Sequence, residues 1–341
     1  MGRSSTAPTI HEVAQRCGVS ISTVSRALSR PERVNAVTRE LVQATALQLG
    51  YQPSPAARAL LSGRSMSIVL MVPDITNPFF FDLIRGAQHR SAAVGYTQVL
   101  VDTEESIRLE AAHLATSVKS ADGVVLAAAR LPDAALAAAA TRQPLVLINR
   151  SVPGVSSVSI DTPAGYVQAM DLLVASGHRT LAYVSGPRSS VSDGRRWKAI
   201  SLAARRLRVT VRRLGPFPPT RAAGAGAADA ALLAGVTGIL AFNDLLALGI
   251  LHRLAERRIA VPEQVSLVGC DDIFGADFCD PPLTTITAPI EAAGARATDL
   301  LLDQLGTVRS RAVHDEILAA TLTVRASTGP APNTDDRSRL P

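Results

Sequence analysis

From residue 66 onward, short apolar runs recur between helical stretches, and this pattern restricts the fold of the 341-residue chain more tightly than any other. The runs fall at 68–72, 98–101, 123–126, 145–148, 181–184, 238–242 and 265–268. A strand that is apolar at nearly every position has no face to spare for water, so it must be covered on both sides. Such runs alternating with helices predict parallel sheets sandwiched between helices, an α/β body. Ligands in this architecture bind beyond the carboxyl ends of the strands. The polar residues just past those ends are therefore the ones that matter: 74–81, Asn149 and Arg150, 189–196, Asn243 and Asp244, and Asp271 and Asp272. Each also has a plain structural use. Asp244 suits a helix cap as well as a ligand contact. The Asp271-Asp272 pair suits a turn, and Phe79 to Phe81 suit either a core or the apolar face of a sugar or base.

Residues 1–65 follow a different rule. They hold eight arginines, no lysine and three glutamates, a surplus of five charges, which leaves +1 of the total +6 to the rest of the chain. A small basic module on a nearly neutral body suits nucleic acid, because phosphate neutralisation supplies most non-specific affinity. The local pattern is helical. Thr9-Ile-His-Glu12 is a capping box that opens a first helix, and Gly18 suits the left-handed residue that closes it. Ser20 then caps a second helix over 21–28, whose Val24, Ala27 and Leu28 face the first. Asn35 caps a third that runs to about Leu49 and stops at Gly50. Two short helices across a glycine turn read as a helix-turn-helix, with the second helix entering the major groove. Ile21, Ser22, Ser25 and Arg26 are left facing outward on it. Arginine can fork onto guanine, serine can bond base or phosphate, and isoleucine can meet a thymine methyl.

From Tyr51 the chain reads YQPSPAARALLSGRS. Pro55 at a first helical position predicts a short helix ending before Gly63. Too short to be stable alone, it orders only against a partner. Leu60 then suits a wedge between base steps in the minor groove.

These segments, TIHEVAQRCGVSISTVSRAL, the hinge run and IVLMVPDITNPFF, closely resemble the LacI/GalR family of bacterial transcription regulators over about residues 8–328. The resemblance implies an N-terminal all-α helix-turn-helix headpiece (1–52) and a hinge helix and linker (53–65). It implies next a two-lobed effector-binding and dimerisation domain of the type I periplasmic-binding-protein kind with parallel sheets (66–328), with 329–341 left as a disordered tail. It implies base reading by Ile21, Ser22 and Arg26 and minor-groove insertion by Leu60. The DNA-facing set is then Thr9, Ser20, Ile21, Ser22, Thr23, Ser25, Arg26, Asn35, Ala57 and Leu60. The run SGHRTLAYVSGPRSSVSDGRRW resembles the opening of the family's second lobe, where Ser192 and Arg196 match effector-bonding positions. AFNDLLALG and VSLVGCDDIFGADFCDPPLTTI resemble two further signatures and put Asn243 and Asp271 in the cleft. With Phe79, Phe80, Asn149, Ser190 and Phe217 these form the expected effector site. Arginine, carboxylate and amide together suit vicinal hydroxyls, which need donors and acceptors at once, so a carbohydrate is the expected effector. Cys270 departs from the aromatic common before the aspartate pair, and Asn149 stands where some relatives carry aspartate.

The expected molecule is a homodimer that binds a palindromic operator in the cytoplasm, associated with the nucleoid when on DNA, under the control of that effector. No cofactor, metal or catalytic residue is expected. Three cysteines without CxxC spacing argue against a disulfide framework or zinc site. No GxSxG, HExxH or P-loop supports an enzyme, and no apolar run spans a membrane or forms a signal peptide. Periplasmic sugar-binding proteins share the two lobes and lack the headpiece. Gly224-Ala-Gly226 resembles half of a dinucleotide fingerprint but lacks its third glycine, so no nucleotide site is expected there.

Overall fold

The computed structural model describes residues 8–29, 31–51, 64–306 and 312–332. The chain divides into two compact units: the first runs to Ser67 and includes Ser120–Asp122, and the second is the remainder.

Among the described residues the first unit has three helices, α1 (Ile10–Cys17), α2 (Ile21–Ser29) and α3 (Ala36–Leu49), with a 3-10 turn at Pro31–Arg33. Its boundaries follow from side-chain caps. The Thr9 hydroxyl accepts the Glu12 N–H at 3.4 Å while the Glu12 carboxylate accepts the Thr9 N–H at 2.7 Å. Asn35 accepts from Val37 and Thr38. Gly18 ends α1 at φ 66°, where a side chain would be strained. Val13, Val24 and Val42 are fully buried together with Ala14, Ala27 and Ala46. Each valine contributes about 1.5 kcal/mol or more by leaving water, enough to hold helices too short to stand alone.

The second unit is two six-stranded sheets, each flanked by helices. The first orders its strands β11-β5-β4-β3-β1-β2 and the second β12-β10-β9-β8-β6-β7. The first lobe contains β1 (Ser67–Val72), α4 (Phe79–Ala93), β2 (Thr97–Asp102), α5 (Ile107–Ser120), β3 (Gly123–Ala127), α6 (Asp133–Arg142), β4 (Leu145–Ile148) and β5 (Ser156–Asp161). The second contains α7 (Thr162–Ala175), β6 (Thr180–Val184), α8 (Val191–Leu207), β7 (Thr210–Leu214), α9 (Gly224–Leu233), β8 (Gly238–Ala241), α10 (Asp244–Glu256), β9 (Ser266–Asp271) and β10 (Thr284–Thr287). The chain then returns to the first lobe for α11 (Ile290–Leu305) and β11 (Asp315–Ala319), and crosses a third time to lay β12 (Thr321–Thr323) antiparallel on β10. All seven apolar runs of the sequence form strands, and all but β2, which lies at a sheet edge, are buried.

Two features differ from the sequence expectation. Strands β5, β7, β10, β11 and β12 carry Ser, Thr, Arg or Glu and lack a continuous apolar run, so their pattern is weak. The chain from Gly329 is not free at once: the Gly329 N–H donates to Ser266, its carbonyl bonds the His178 ring at 3.1 Å, and the Ala331 N–H donates to the Ser176 carbonyl. These bonds secure 329–332 to the second lobe, and the rest of the expected tail lies outside the described residues. Gly224 belongs to packing: a Cβ there would sit 2.2 Å from the Gly249 backbone, so the glycine lets α9 and α10 touch. Among the described residues no helix is long and apolar enough to cross a membrane.

Candidate functional site

On the headpiece, α2 turns Val24 and Ala27 into the core and leaves Ile21 (41% exposed), Ser22 and Arg26 on the surface. Ser20 begins the helix by accepting the Thr23 N–H at 3.2 Å, and its hydroxyl meets those of Ser22 and Thr23 at 2.9 Å. The Arg26 guanidinium folds back on the Ser22 carbonyl at 3.2 Å. It makes no ion pair among the described residues, so its charge is available. Ser25 is half-buried. Thr9 and Asn35 spend their side-chain oxygens on helix caps. Ala57 and Leu60 lie outside the described residues.

In the second unit one cleft between the lobes collects the ends of seven strands. It is lined by Pro73 and Asn77 after β1, Glu105 after β2, Ala128 and Arg130 after β3, and Asn149 after β4. Across from them stand Ser190, Ser192 and Arg196 after β6, Phe242 and Asn243 after β8, and Asp271 at the end of β9. Phe79 and Phe80, the first residues of α4, complete the wall as an edge-to-face pair with ring centres 4.9 Å apart. Eight of the nine expected effector residues are thus brought together. Phe217 is not: its ring packs against the hydrophobic core of the second lobe, because the loop after β7 folds onto β6 through a Phe217 N–H bond to the Ser185 carbonyl.

Arg196 is the centre of the second-lobe wall. It is buried, with Nε donating to the Thr162 hydroxyl at 3.0 Å and Nη1 to the Phe242 carbonyl at 2.6 Å. Its guanidinium lies 4.8 Å from the Phe242 ring centre and 5.7 Å from that of Tyr166. Its Nη2 stands 3.9 Å from Asp271, a loose ion pair that leaves both groups able to take a ligand between them. The surrounding acidic groups hold the arginine cationic against the cost of burial. Burial pushes the Asp271 carboxyl up to about 8, with Arg196 pulling the other way, so near neutral pH it serves as donor or acceptor. Asp271 has φ 121°, a strained backbone for a residue with a side chain, and this conformation is what ends β9 at the cleft.

Other members of the cleft divide their bonding capacity. Asn243 caps α10 by accepting the Leu246 N–H and donates its amide to the Pro219 carbonyl, and Ser190 caps α8. Asn149, at φ 59°, accepts the Ile160 N–H and keeps its own amide hydrogens. The Ser192 hydroxyl has no partner among the described residues. Asp244 is neither cap nor cleft residue: it is buried in the second lobe, accepting from the Thr285 hydroxyl at 2.6 Å and the Ile273 N–H at 3.0 Å, and burial pushes it up to about 6. Asp272 turns away to Arg325 and Thr287.

The sequence reading missed Arg130, Glu105 and Phe242, while Asn77 falls within the 74–81 range it singled out. Arg130 is held by Glu105 and donates to the Ala128 carbonyl at 3.2 Å, forming a charged counterpart to Arg196 on the first-lobe wall. The signal was available: both residues follow strand ends, at 102 and 127, where the rule for parallel sheets places ligands.

Comparison with known proteins bears on both units. Residues 9–54 match the model for bacterial regulatory proteins of the lacI family, and residues 170–328 match a periplasmic binding protein-like domain. The HTH-type transcriptional repressor CytR of Escherichia coli (strain K12) is 34% identical over 313 residues, which cover 89% of this chain and 91% of that protein. This chain belongs to the LacI family. The Ribose operon repressor of Bacillus subtilis (strain 168) is 31% identical, covering 86% of this chain and 90% of that one. Among solved structures, a lac repressor dimer bound to operator and an anti-inducer superposes with a TM-score of 0.83 at 24% identity, over 95% of this chain and all of that one. A complex of the transcriptional regulator CelR with cellobiose gives 0.70 at 27% identity, over 94% and 99%. As a LacI-family member the chain is a DNA-binding transcription regulator with a helix-turn-helix headpiece and a two-lobed type I binding domain, and it is not an enzyme.

Proposed function

We propose that this regulator acts as a repressor, binding a palindromic operator as a homodimer and releasing or tightening on it when a sugar enters the cleft between its lobes. The observation that carries the reading is the meeting of Arg196, Asp271, Asn149 and Ser192 with Phe79, Phe80 and Phe242 at the carboxyl ends of two parallel sheets. Charged and amide groups address hydroxyls, and the rings address the apolar face of a sugar. Relatives with related folds have been solved with ribose and with cellobiose, which supports the carbohydrate class.

In this mechanism Ile21, Ser22 and Arg26 read base edges in the major groove, Ser20, Thr23 and Ser25 contact phosphate or base nearby, and Leu60 with Ala57 enters the minor groove. Two copies read two half-sites, so the operator mirrors the protein's two-fold symmetry. A sugar that prefers one angle between the lobes shifts the dimer toward the state that favours or disfavours the operator. The working place is the cytoplasm, on the nucleoid when DNA is bound.

Selection from random duplexes at moderate salt, followed by sequencing, tests the first half. A recovered palindrome supports it, and purely salt-dependent, sequence-independent binding with and without sugars overturns it. Thermal unfolding across a panel of neutral sugars tests the second half: one sugar should raise Tm in the native protein and leave an Asp271→Ala, Arg196→Ala double variant unmoved.

A further inference from the structure

The nearly neutral total of the body conceals a second concentration of positive charge. Between Arg188 and Arg221 stand ten cationic side chains and one carboxylate, Asp193. That segment has a surplus of nine, larger than the five carried by residues 1–65, and the remainder of the chain is left at −8. Nine of the ten are exposed, Arg196 being the exception. Asp171 holds Arg206 at 2.7 Å, and Asp193 holds Arg213, which also lies over the Trp197 ring. The other seven make no ion pair among the described residues.

Their placement is ordered by α8. Its 17 residues extend about 25 Å. Arg195, Lys198, Leu202, Arg205 and Arg206 recur at helical spacing and form one exposed stripe roughly 100° wide, while Ile200, Ala203 and Ala204 bury the opposite face. Arg208 prolongs the row at φ 56°, the left-handed position after the helix that glycine usually fills. On the neighbouring edge strand β7, Arg213 points to the α8 side, where Asp193 and the Trp197 ring meet it. Like charges three and four apart weaken a helix, so a row with one partnered member is a cost to the fold and calls for an external anion.

We propose that this face of the second lobe binds the phosphate backbone of duplex DNA without reading its sequence. The stripe has one aliphatic side chain, no exposed aromatic and no carboxylate. Protein interfaces are instead built around aromatic anchors and are poor in lysine, whereas a phosphate backbone is met by arginine and lysine in rows. The same chain carries a DNA-reading headpiece, so duplex is held by the molecule that bears the row. The DNA comes from one of two sources, the flanks of the bound operator or a separate segment.

The test uses full-length protein and the variant Arg195→Gln, Lys198→Gln, Arg205→Gln, Arg208→Gln. Binding to a labelled random-sequence duplex of about 60 base pairs is followed by anisotropy as salt is raised. Losing four phosphate contacts should flatten the plot of log K against log salt by about 3 to 4 and weaken low-salt binding roughly tenfold or more. An unchanged slope and affinity overturns the proposal, and so does unchanged DNA binding with lost retention on polyglutamate, which would assign the face to an acidic protein. Thermal unfolding verifies that the variant folds. A second variant, Arg195→Lys, Arg205→Lys, Arg208→Lys, should keep the native slope; if it falls with the glutamine variant, charge is not what matters and the proposal fails. Comparing a selected operator alone with the same operator inside long flanks, and adding a second labelled duplex to the complex, separates the two sources. None of these measurements involves a sugar, so failure of the effector reading leaves them untouched.

Discussion

The headpiece and the cleft solve recognition in opposite ways. On α2 the reading groups are exposed, and Ser22 and Arg26 bond only within the helix and its cap. Phosphates and base edges come to a ready surface, and the protein invests its internal bonds in caps and a small core. In the cleft Arg196, Asn243 and Asp271 are buried, and much of the bonding capacity is already used within the protein: Arg196 bonds Thr162 and Phe242, Asn243 bonds Leu246 and Pro219, and Asn149 bonds Ile160. A ligand there exchanges with existing partners. The comparison teaches that headpiece substitutions should alter binding with little cost to the fold, whereas cleft substitutions should alter both.

Arg196→Ala gives the largest expected effect and the sharpest test. Deleting the buried guanidinium leaves a cavity and strands the Thr162 and Phe242 partners, which should cost about 3–5 kcal/mol in urea unfolding. A loss below about 1 kcal/mol would mean that water fills the site, and the cleft would then resemble the headpiece. Next comes Arg26→Ala, which should relax preference at one base pair per half-site by about 1–3 kcal/mol, with unfolding unchanged. Equal weakening on every DNA sequence would make Arg26 a phosphate contact. Asn35→Ala should cost the headpiece about 1 kcal/mol by removing the α3 cap, visible as a lower Tm of that unit.

The pH dependence of stability is the subtlest contrast. Asp271 is pushed up to about 8 and Asp244 to about 6 in the fold, against about 4 for an unfolded aspartate. The folded protein therefore holds protons that the unfolded chain has released. Their stabilising contribution is complete below pH about 4 and is lost as pH rises, through about 6 for Asp244 and about 8 for Asp271. Asp271→Asn should flatten the upper part of that decline in unfolding experiments between pH about 6 and about 8. An identical slope in both proteins would remove Asp271 from the explanation.

How far each region was legible follows from the range of its determinants. Headpiece helices are set by residues three or four apart, so Thr9 with Glu12, Gly18, Asn35 and Gly50 can each be placed from their immediate neighbours in the chain. The apolar runs were equally plain, since a fully buried strand announces itself. Strands such as β7 and β11 mix charges into an edge, and their pairing depends on partners far along the chain, so local pattern did not reveal them.

Within the cleft, strand-end position led to Phe79, Asn149, Arg196 and Asp271. Phe217 was a false lead, because an aromatic in a loop says nothing about which core it enters. Arg130 and Glu105 were passed over because their use depends on each other across two loops.

By itself the sequence determined the helix ends of the headpiece, the parallel α/β body and the family, since these rest on contacts within a turn or on burial that composition must satisfy. Only the tertiary structure decided which strand ends share a cleft, which amide is spent on a cap, and that Arg195, Lys198, Arg205, Arg206 and Arg208 lie along one face. Those facts depend on distant chain segments being brought within a few ångströms of one another, or on a helix being turned outward by what its other side buries. No local rule carries that information.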